Sequence, residues 1–136
     1  MIVHCCHCRW CQRETGSAFV INALMETSKI AVTGTVETIV TPSQSGKGQI
    51  VIRCPRCKIA LWSHYAGGGP KVAFIRVGTM ADPATCPPDV HIFTGSKLPW
   101  IELPKDTMVF TNFYPDPSQV WTAAARARYA AAKASG

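Results

Sequence analysis

Four cysteines and two histidines occupy six of the eight positions from residue 4 to residue 11, in the stretch HCCHCRWC. Three of the thiols, Cys6, Cys8 and Cys11, form a C-x-C-x-x-C pattern. Cysteines this close in sequence pair poorly with one another, because a disulfide needs a specific separation and direction of the Cβ atoms. Thiolates on one turn can instead converge on a soft cation, and zinc accepts such ligands tetrahedrally. The pattern therefore predicts a zinc site at these three residues.

A zinc with three protein ligands keeps its fourth position open to water or substrate, which separates a catalytic zinc from a structural one. We therefore expect a catalytic site. Two alternatives stay open on the residues alone. The thiols are packed and unreactive, or they bind a metal purely for stability.

The neighbours of these cysteines are placed by the alternation of side chains in an extended segment. If Cys6 faces the metal, we expect Cys5 and His7 to face the other side, and His4 to share the Cys6 side. His7 is expected to be a surface histidine, with a role as a proton relay as the alternative. His91, between apolar neighbours in DVHIF, is expected to be a hydrogen-bonded structural histidine.

Cys54 and Cys57 form a second motif, C-P-R-C, between two apolar, strand-like runs. A C-x-x-C knuckle normally needs a second pair of ligands to close a structural zinc, so these two thiols are half of a site. Cys86 lies in a proline-rich loop and is expected to be a small, partly buried residue.

The elements that position the motifs are mostly strands. Apolar and alternating runs predict strands at residues 18–25, 28–34, 35–41, 49–54, 59–65, 71–79 and 90–95. Residues 9–16 are expected to form a loop or short helical turn closed by Gly16. Helix propensity is high from Gln119 to Lys133. We expect residues 1–115 to form one zinc-binding β domain, and residues 116–136 to form a C-terminal helical tail.

Composition limits the class of protein. The chain has 136 residues, of which 47% are hydrophobic and 16% charged, as in globular domains. The formal net charge of +6 favours acidic small molecules or polyanions as partners, but it includes no dense Lys/Arg run, so nucleic acid is not expected. No apolar run approaches ~18 residues, and polar sequence begins at His4, so we expect neither a membrane span nor a signal peptide. A cytoplasmic location would keep the thiols reduced.

Four blocks in this order resemble the glutathione-dependent formaldehyde-activating enzyme family, which also includes centromere protein V. They run from about Val3 to Leu103 and read VHCCHCRWCQRETGSAF, RCPRCKIALW, VGTMADPA and HIFTGSKLPWIEL. The ordered set is specific, whereas no single block would be. The resemblance implies a mainly β fold of twisted antiparallel sheets with zinc knuckles, similar to that of a small zinc-binding chaperone of Rab GTPases. In this sequence we expect a C-terminal helix in addition to that β fold.

The resemblance also implies metal sites. In that family the C-x-C-x-x-C triplet holds a catalytic zinc, which carries over to the three thiols named first. The later C-x-x-C, here Cys54 and Cys57, supplies half of a structural zinc site. An N-terminal C-x-C completes that site in the family, and we expect this sequence to lack it. Lys58 also stands where the family commonly has glycine. We therefore expect the second site to be empty or poorly occupied.

The reaction that names the family joins glutathione to formaldehyde, and it is carbon–sulfur lyase chemistry in reverse. The resemblance thus predicts an enzyme that acts on glutathione or a similar small thiol, with formaldehyde or another small aldehyde. Arg9 and Arg13 flank the metal loop and are expected to bind the glutathione carboxylates, with two solvated arginines as the alternative. Trp10 is expected to line the pocket, and Trp62 and Trp100 to lie in the core.

The competing prediction is a zinc-stabilised binding module without catalysis, which the knuckle and the basic C-terminal residues also fit. An enzyme keeps an exchangeable fourth zinc ligand, whereas a binding module closes the site with four residues. Neither prediction determines the oligomeric state, and a homo-oligomer stays open.

Overall fold

The computed structural model describes residues 1–135 and contains one eight-stranded mixed sheet. The strands are β1 (Val3–Cys6), β2 (Val20–Glu26), β3 (Glu37–Thr41), β4 (Gln49–Arg53), β5 (Ala60–Tyr65), β6 (Val72–Arg76), β7 (Val90–Ile92) and β8 (Met108–Val109). The helices are α1 (Arg9–Thr15) and α2 (Ala123–Ala134). The predicted fold class, mainly β with a C-terminal helix, is confirmed.

The strand order places the cysteine-rich strand inside the sheet. The order is β3-β4-β5-β6-β2-β1-β7-β8. Neighbours from β3 to β1 pair antiparallel, whereas β7 pairs parallel with β1 and β8 pairs parallel with β7. Because β1 has a strand on each side, three of its four residues are buried, on both faces of the sheet. Each face of β1 can therefore present a separate group of side chains.

A short turn and helix α1 follow β1 directly. Cys8 caps the helix, because its Sγ accepts a hydrogen bond from the Cys11 amide at 3.3 Å. The helix ends at Gly16, whose φ of 62° lies in the left-handed region that glycine adopts without strain. This confirms the helical turn that the sequence predicts over residues 9–16.

Helix α2 starts four residues later than Gln119, where the propensity pattern begins. Thr122 caps it, because its Oγ1 accepts a hydrogen bond from the Ala125 amide at 3.1 Å. Residues Pro117–Gln119 form a separate 3-10 turn. Trp121 and Ala125 pack into the same core as residues of β2 and β6. The domain boundary predicted after residue 115 stays a prediction.

Two strand predictions need correction. Residues 28–34 contain no strand, since Thr27–Lys29 form a 3-10 turn and the following residues are irregular. β3 is not half-buried as its alternation suggested, because it is an edge strand and Val40 is 75% exposed. Within the described residues, no helix is long and apolar enough to cross a membrane.

Candidate active site

The three thiols of the C-x-C-x-x-C motif meet where β1 ends and α1 begins. The Sγ atoms of Cys6, Cys8 and Cys11 all lie within 4.8 Å of one another, and each residue is at most 6% exposed. Cys6 is the last residue of β1, Cys8 caps α1 and Cys11 lies in its first turn. Within residues 1–135, no fourth Cys, His, Asp or Glu joins this group.

The pKa values of the three thiols are shifted in different directions. Hydrogen bonds from Cys11 and Cys6 lower the pKa of Cys8 to about 3, and backbone amides reinforce them. Hydrogen bonds to Cys11 and Cys8, together with burial, raise the pKa of Cys6. The hydrogen bond with Cys6 lowers the pKa of Cys11, but the bond with Cys8 and burial outweigh it and raise that pKa to about 12. A soft cation would replace these protons, so the donor set fits zinc.

A cavity of about 580 Å³ opens onto the three thiols. Eight aromatic residues line it, and Trp10 is among them, as predicted. Arg126 of α2 is the one Lys, Arg, Asp or Glu among the described residues that line it. Sequence reasoning missed Arg126, because helix propensity does not tell which face of α2 meets a cavity.

His4 lies on the Cys6 side of β1 and lines the same cavity, as the alternation predicts. The Trp121 Nε1 donates to the Tyr114 hydroxyl oxygen at 2.6 Å, and that hydroxyl lies 2.9 Å from His4 Nε2. Burial lowers the pKa of His4 to about 4, so the ring is neutral near pH 7. This chain of hydrogen bonds ties β1 to the segment that precedes α2.

Arg9 and Arg13 do not line the thiol cavity. They line a separate groove of about 540 Å³ together with Trp100. The Arg13 guanidinium carbon lies 5.1 Å from the centre of the Trp10 ring, which itself lines the thiol cavity. Trp100 is 69% exposed, so its predicted place in the core is wrong. The loop that carries Trp100 lies at the surface, where it forms one side of this groove.

The opposite face of β1 holds a second group of ligand-type side chains. The ligand atoms of Cys5, His7 and His91 lie within 4.8 Å of one another, and all three residues are buried. His7 Nε2 lies 3.6 Å from Cys5 Sγ and 3.0 Å from His91 Nδ1. His7 is 0% exposed, so the predicted surface histidine is wrong, because the rings of His91 on β7 and of Phe19 pack against it. His91 is hydrogen-bonded, as expected, and β7 brings it here through its pairing with β1.

Gln12 holds the turn between β1 and α1 in place, and sequence reasoning missed it. Its Nε2 donates to the His7 carbonyl at 2.8 Å and to the Ser96 carbonyl at 2.9 Å. The Ser96 hydroxyl donates to the same His7 carbonyl at 2.9 Å. The turn that carries the three thiols is thereby attached to the Thr94–Ser96 turn after β7. The one signal in the sequence is a polar side chain on the buried face of a short helix.

Cys54 and Cys57 lie in the turn between β4 and β5. The Lys58 amide donates to the Cys54 carbonyl at 2.9 Å, and Lys58 has a φ of 63° in the left-handed region. Amides of Cys57 and Arg56 lower the pKa of Cys54. In the described part of the chain, no third ligand-type side chain forms a group with this pair. Zinc at Cys54 and Cys57 stays a prediction.

The fold and the site define a class of protein: a small, mainly β protein whose buried three-thiol group opens onto an apolar cavity. The family model of the glutathione-dependent formaldehyde-activating enzymes (GFA) matches residues 1–96. The chain belongs to that family. The matched residues include both cysteine motifs and β1 to β7, whereas β8 and α2 lie beyond them. A search of curated proteins found no match.

Proposed function

We propose that the protein is a zinc-dependent enzyme of the carbon–sulfur lyase type, which makes and breaks the adduct of a small thiol with an aldehyde. The observation that carries the proposal is the three-thiol group at Cys6, Cys8 and Cys11, because it lines a cavity and has no fourth ligand among the described residues. A tetrahedral cation held there keeps one position for a ligand from the cavity. A binding module would instead need a closed set of four.

The chemistry proposed for this site is the reversible addition of a thiol to a carbonyl. The thiolate sulfur attacks the carbonyl carbon and forms the C–S bond, while the electron pair of the C=O bond moves to oxygen, which takes up a proton. The thiol proton is released to solvent. Zinc bound to three thiolates would favour the deprotonated form of the substrate thiol, whereas a free thiol, with a pKa of about 8.5, is mostly protonated at neutral pH. The protein contributes an aromatic cavity lining and keeps the three thiols buried.

The family suggests glutathione as the thiol and formaldehyde as the aldehyde. Arg9 and Arg13 remain the proposed partners of the glutathione carboxylates, supported by the groove that both residues line. Arg13 stacks on Trp10, and Trp10 also lines the thiol cavity, so the two surfaces lie next to each other. A cytoplasmic location, where glutathione and reduced thiols coexist, belongs to the same proposal.

Metal content tests the ligands. Cys8→Ser should abolish tight Co²⁺ or Zn²⁺ binding at the three-thiol group, because it removes the thiolate that the other two thiols already surround. Cys86→Ser is the matched control, since Cys86 lies in a loop outside both groups, and it should bind metal as the wild type does. A Cys8→Ser protein with native metal affinity would refute the assignment.

The visible spectrum of the Co²⁺-substituted protein tests the thiol. Glutathione that reaches the metal should shift the thiolate-to-cobalt charge-transfer bands, with saturation. In Arg13→Gln the titration midpoint should move to higher glutathione concentration. If no thiol changes the spectrum, the proposed reaction is refuted, and the non-catalytic binding module is favoured instead.

A further inference from the structure

The thiol cavity is much larger than the family's one-carbon aldehyde requires. Its volume of about 580 Å³ falls in the range of pockets for drug-sized molecules, whereas a single water takes up only about 30 Å³ of liquid. Eight aromatic residues line it, including Phe74 and Phe113. Burial of an apolar body against such walls is favourable, and a formaldehyde unit would leave most of them uncovered.

Several polar groups of the lining are already hydrogen-bonded within the protein, although Gln49 Oε1 is buried without a partner. His4 Nε2 is bonded to the Tyr114 hydroxyl, and Asn22 Oδ1 accepts from the buried Arg76. The Tyr129 hydroxyl donates to the Gly67 carbonyl at 3.0 Å. A ligand with many polar atoms would therefore find few partners here, and an apolar body would lose no hydrogen bonds by entering.

One charged side chain remains for a ligand. Arg126 lines the cavity and is partly buried, and within residues 1–135 its guanidinium forms no ion pair. Its charge acts on one carboxyl, that of Asp116, whose pKa is lowered by the hydrogen bonds from Ser118 and then by Arg126. A guanidinium in an apolar setting is a specific partner for one carboxylate or similar acid. The neighbouring Arg128, by contrast, is paired with Glu26.

This part of the cavity comes from residues beyond the family match. Phe113, Tyr114, Trp121 and Arg126 lie after residue 96, where the match to the family model ends, yet they line the same cavity as the three thiols. The three thiols and this wall of their cavity thus come from two different parts of the chain.

We propose that the aldehyde-derived half of the adduct is an aromatic or similarly sized apolar group with one acidic substituent, which lies against Phe113 and reaches Arg126. This inference rests on the proposed function, because it assumes that the adduct sulfur meets a metal at the three thiols. The reaction is the same addition, R–CHO with R′–SH giving R–CH(OH)–S–R′, with R large and monoanionic. Glutathione can still supply R′.

Three thiols that mimic this half of the adduct provide the test with the Co²⁺-substituted protein. Benzyl mercaptan places a ring one carbon from sulfur, 4-(mercaptomethyl)benzoate adds the acid, and ethanethiol stands for a small aldehyde. Benzyl mercaptan should bind about tenfold more tightly than ethanethiol, from the apolar area that it buries. The carboxylate of 4-(mercaptomethyl)benzoate should raise the affinity by a further factor of about three to ten.

Matched variants show whether tighter binding comes from contacts in the cavity or only from the hydrophobicity of the thiol. Phe113→Ala removes a ring that is 48% exposed, so we expect the variant to fold. It should lower the affinity for benzyl mercaptan and leave the affinity for ethanethiol unchanged. Arg126→Gln should abolish the gain from the carboxylate. Arg128→Gln, with the same charge change on the same helix, should keep that gain. Metal content confirms that each variant retains its site.

The outcomes distinguish the two proposals. If no thiol changes the spectrum, the proposed function fails, and this inference fails with it. If glutathione and ethanethiol bind but benzyl mercaptan binds no more tightly than ethanethiol, only the inference on substrate size is overturned. If the carboxylate brings no gain, or if Arg126→Gln leaves the gain unchanged, the assignment of Arg126 is wrong.

Discussion

Gln12 is a buried side chain that is hydrogen-bonded to the turn between β1 and α1. Gln12 is 4% exposed and makes two hydrogen bonds to carbonyls that lie 89 residues apart in sequence, those of His7 and Ser96. Buried carbonyl groups that lose a donor carry the full cost of desolvation. Gln12 therefore acts on the site through the turn that carries Cys8, without contact with a ligand.

Replacing Gln12 tests this positioning role. Gln12→Ala should lower the free energy of unfolding by about 1–3 kcal/mol, because the Ser96 carbonyl loses its donor and the His7 carbonyl retains only the Ser96 hydroxyl. Urea unfolding measures the change. The exposed Gln119→Ala is the control and should be close to neutral. Equal stability of the Gln12 and Gln119 variants would contradict the role.

At the scale of elements, the C-P-R-C turn between β4 and β5 has structure that does not depend on a metal. The Lys58 amide bonds to the Cys54 carbonyl, and the Cys54 amide bonds to the Ile59 carbonyl at 3.0 Å. The Lys58 ammonium also pairs with Glu37 of the adjacent β3 at 2.8 Å. Backbone pairing of β4 with β5 continues on the other side of the turn. These contacts are sufficient to hold the turn with two thiols alone.

The double variant Cys54→Ser with Cys57→Ser tests whether this turn needs zinc. We expect a loss of about 1 kcal/mol or less, which for a chain of 136 residues corresponds to a fall in Tm of roughly 4 °C at most, because the backbone bonds remain. Metal bound at the three-thiol group should be unchanged. Calorimetry and metal content measure both. Loss of one metal per chain together with a large fall in Tm would show that the second site is complete.

At the scale of the whole molecule, α2 is attached to the sheet by both apolar and charged contacts. Trp121 and Ala125 pack in the core, while Arg128 donates two hydrogen bonds to Glu26 at the end of β2, at 2.8 and 2.6 Å. The hydrogen bonds from Arg128 lower the pKa of Glu26 to about 2, from an ordinary value of 4.5. Helix α2 also supplies a wall of the thiol cavity. The contacts that hold α2 on the sheet therefore stabilise both the fold and the cavity.

The depressed pKa of Glu26 predicts how stability changes with pH. An unfolded carboxyl with a pKa of 4.5 and a folded one with a pKa of about 2 make the unfolded chain bind more protons between these values. The stabilisation from Glu26 is therefore complete above pH 4.5 and is lost as pH falls towards 2. Since Arg128 is 44% exposed, we expect about 1 kcal/mol.

Urea unfolding at several pH values checks this prediction. Glu26→Gln should be less stable than the wild type at pH 6, and the difference should shrink as pH falls through the window from 4.5 to 2. Glu37→Gln is the control, because its ion pair with Lys58 is exposed and should contribute little. A difference that does not vary with pH would contradict the role of the Glu26 carboxylate.

The sequence by itself determined the features that depend on neighbours along the chain. Cys6, Cys8 and Cys11 lie within six positions, so one strand end and one helical turn suffice to bring their sulfur atoms together. Gly16 ends α1 for an equally local reason, its left-handed φ. Both cysteine patterns lie inside the residues that match the family model.

Only the tertiary structure decided which distant residues join them. The parallel pairing of β7 with β1 buries His7 and brings His91 to it, and no periodicity in either segment specifies that pairing. The docking of α2 places Arg126 in the thiol cavity, while Arg9 and Arg13 fall in a separate groove. Short-range backbone geometry sets contacts within a few residues. Contacts across the sheet depend on strand order and helix orientation, which arise from the burial of apolar surface over the whole chain.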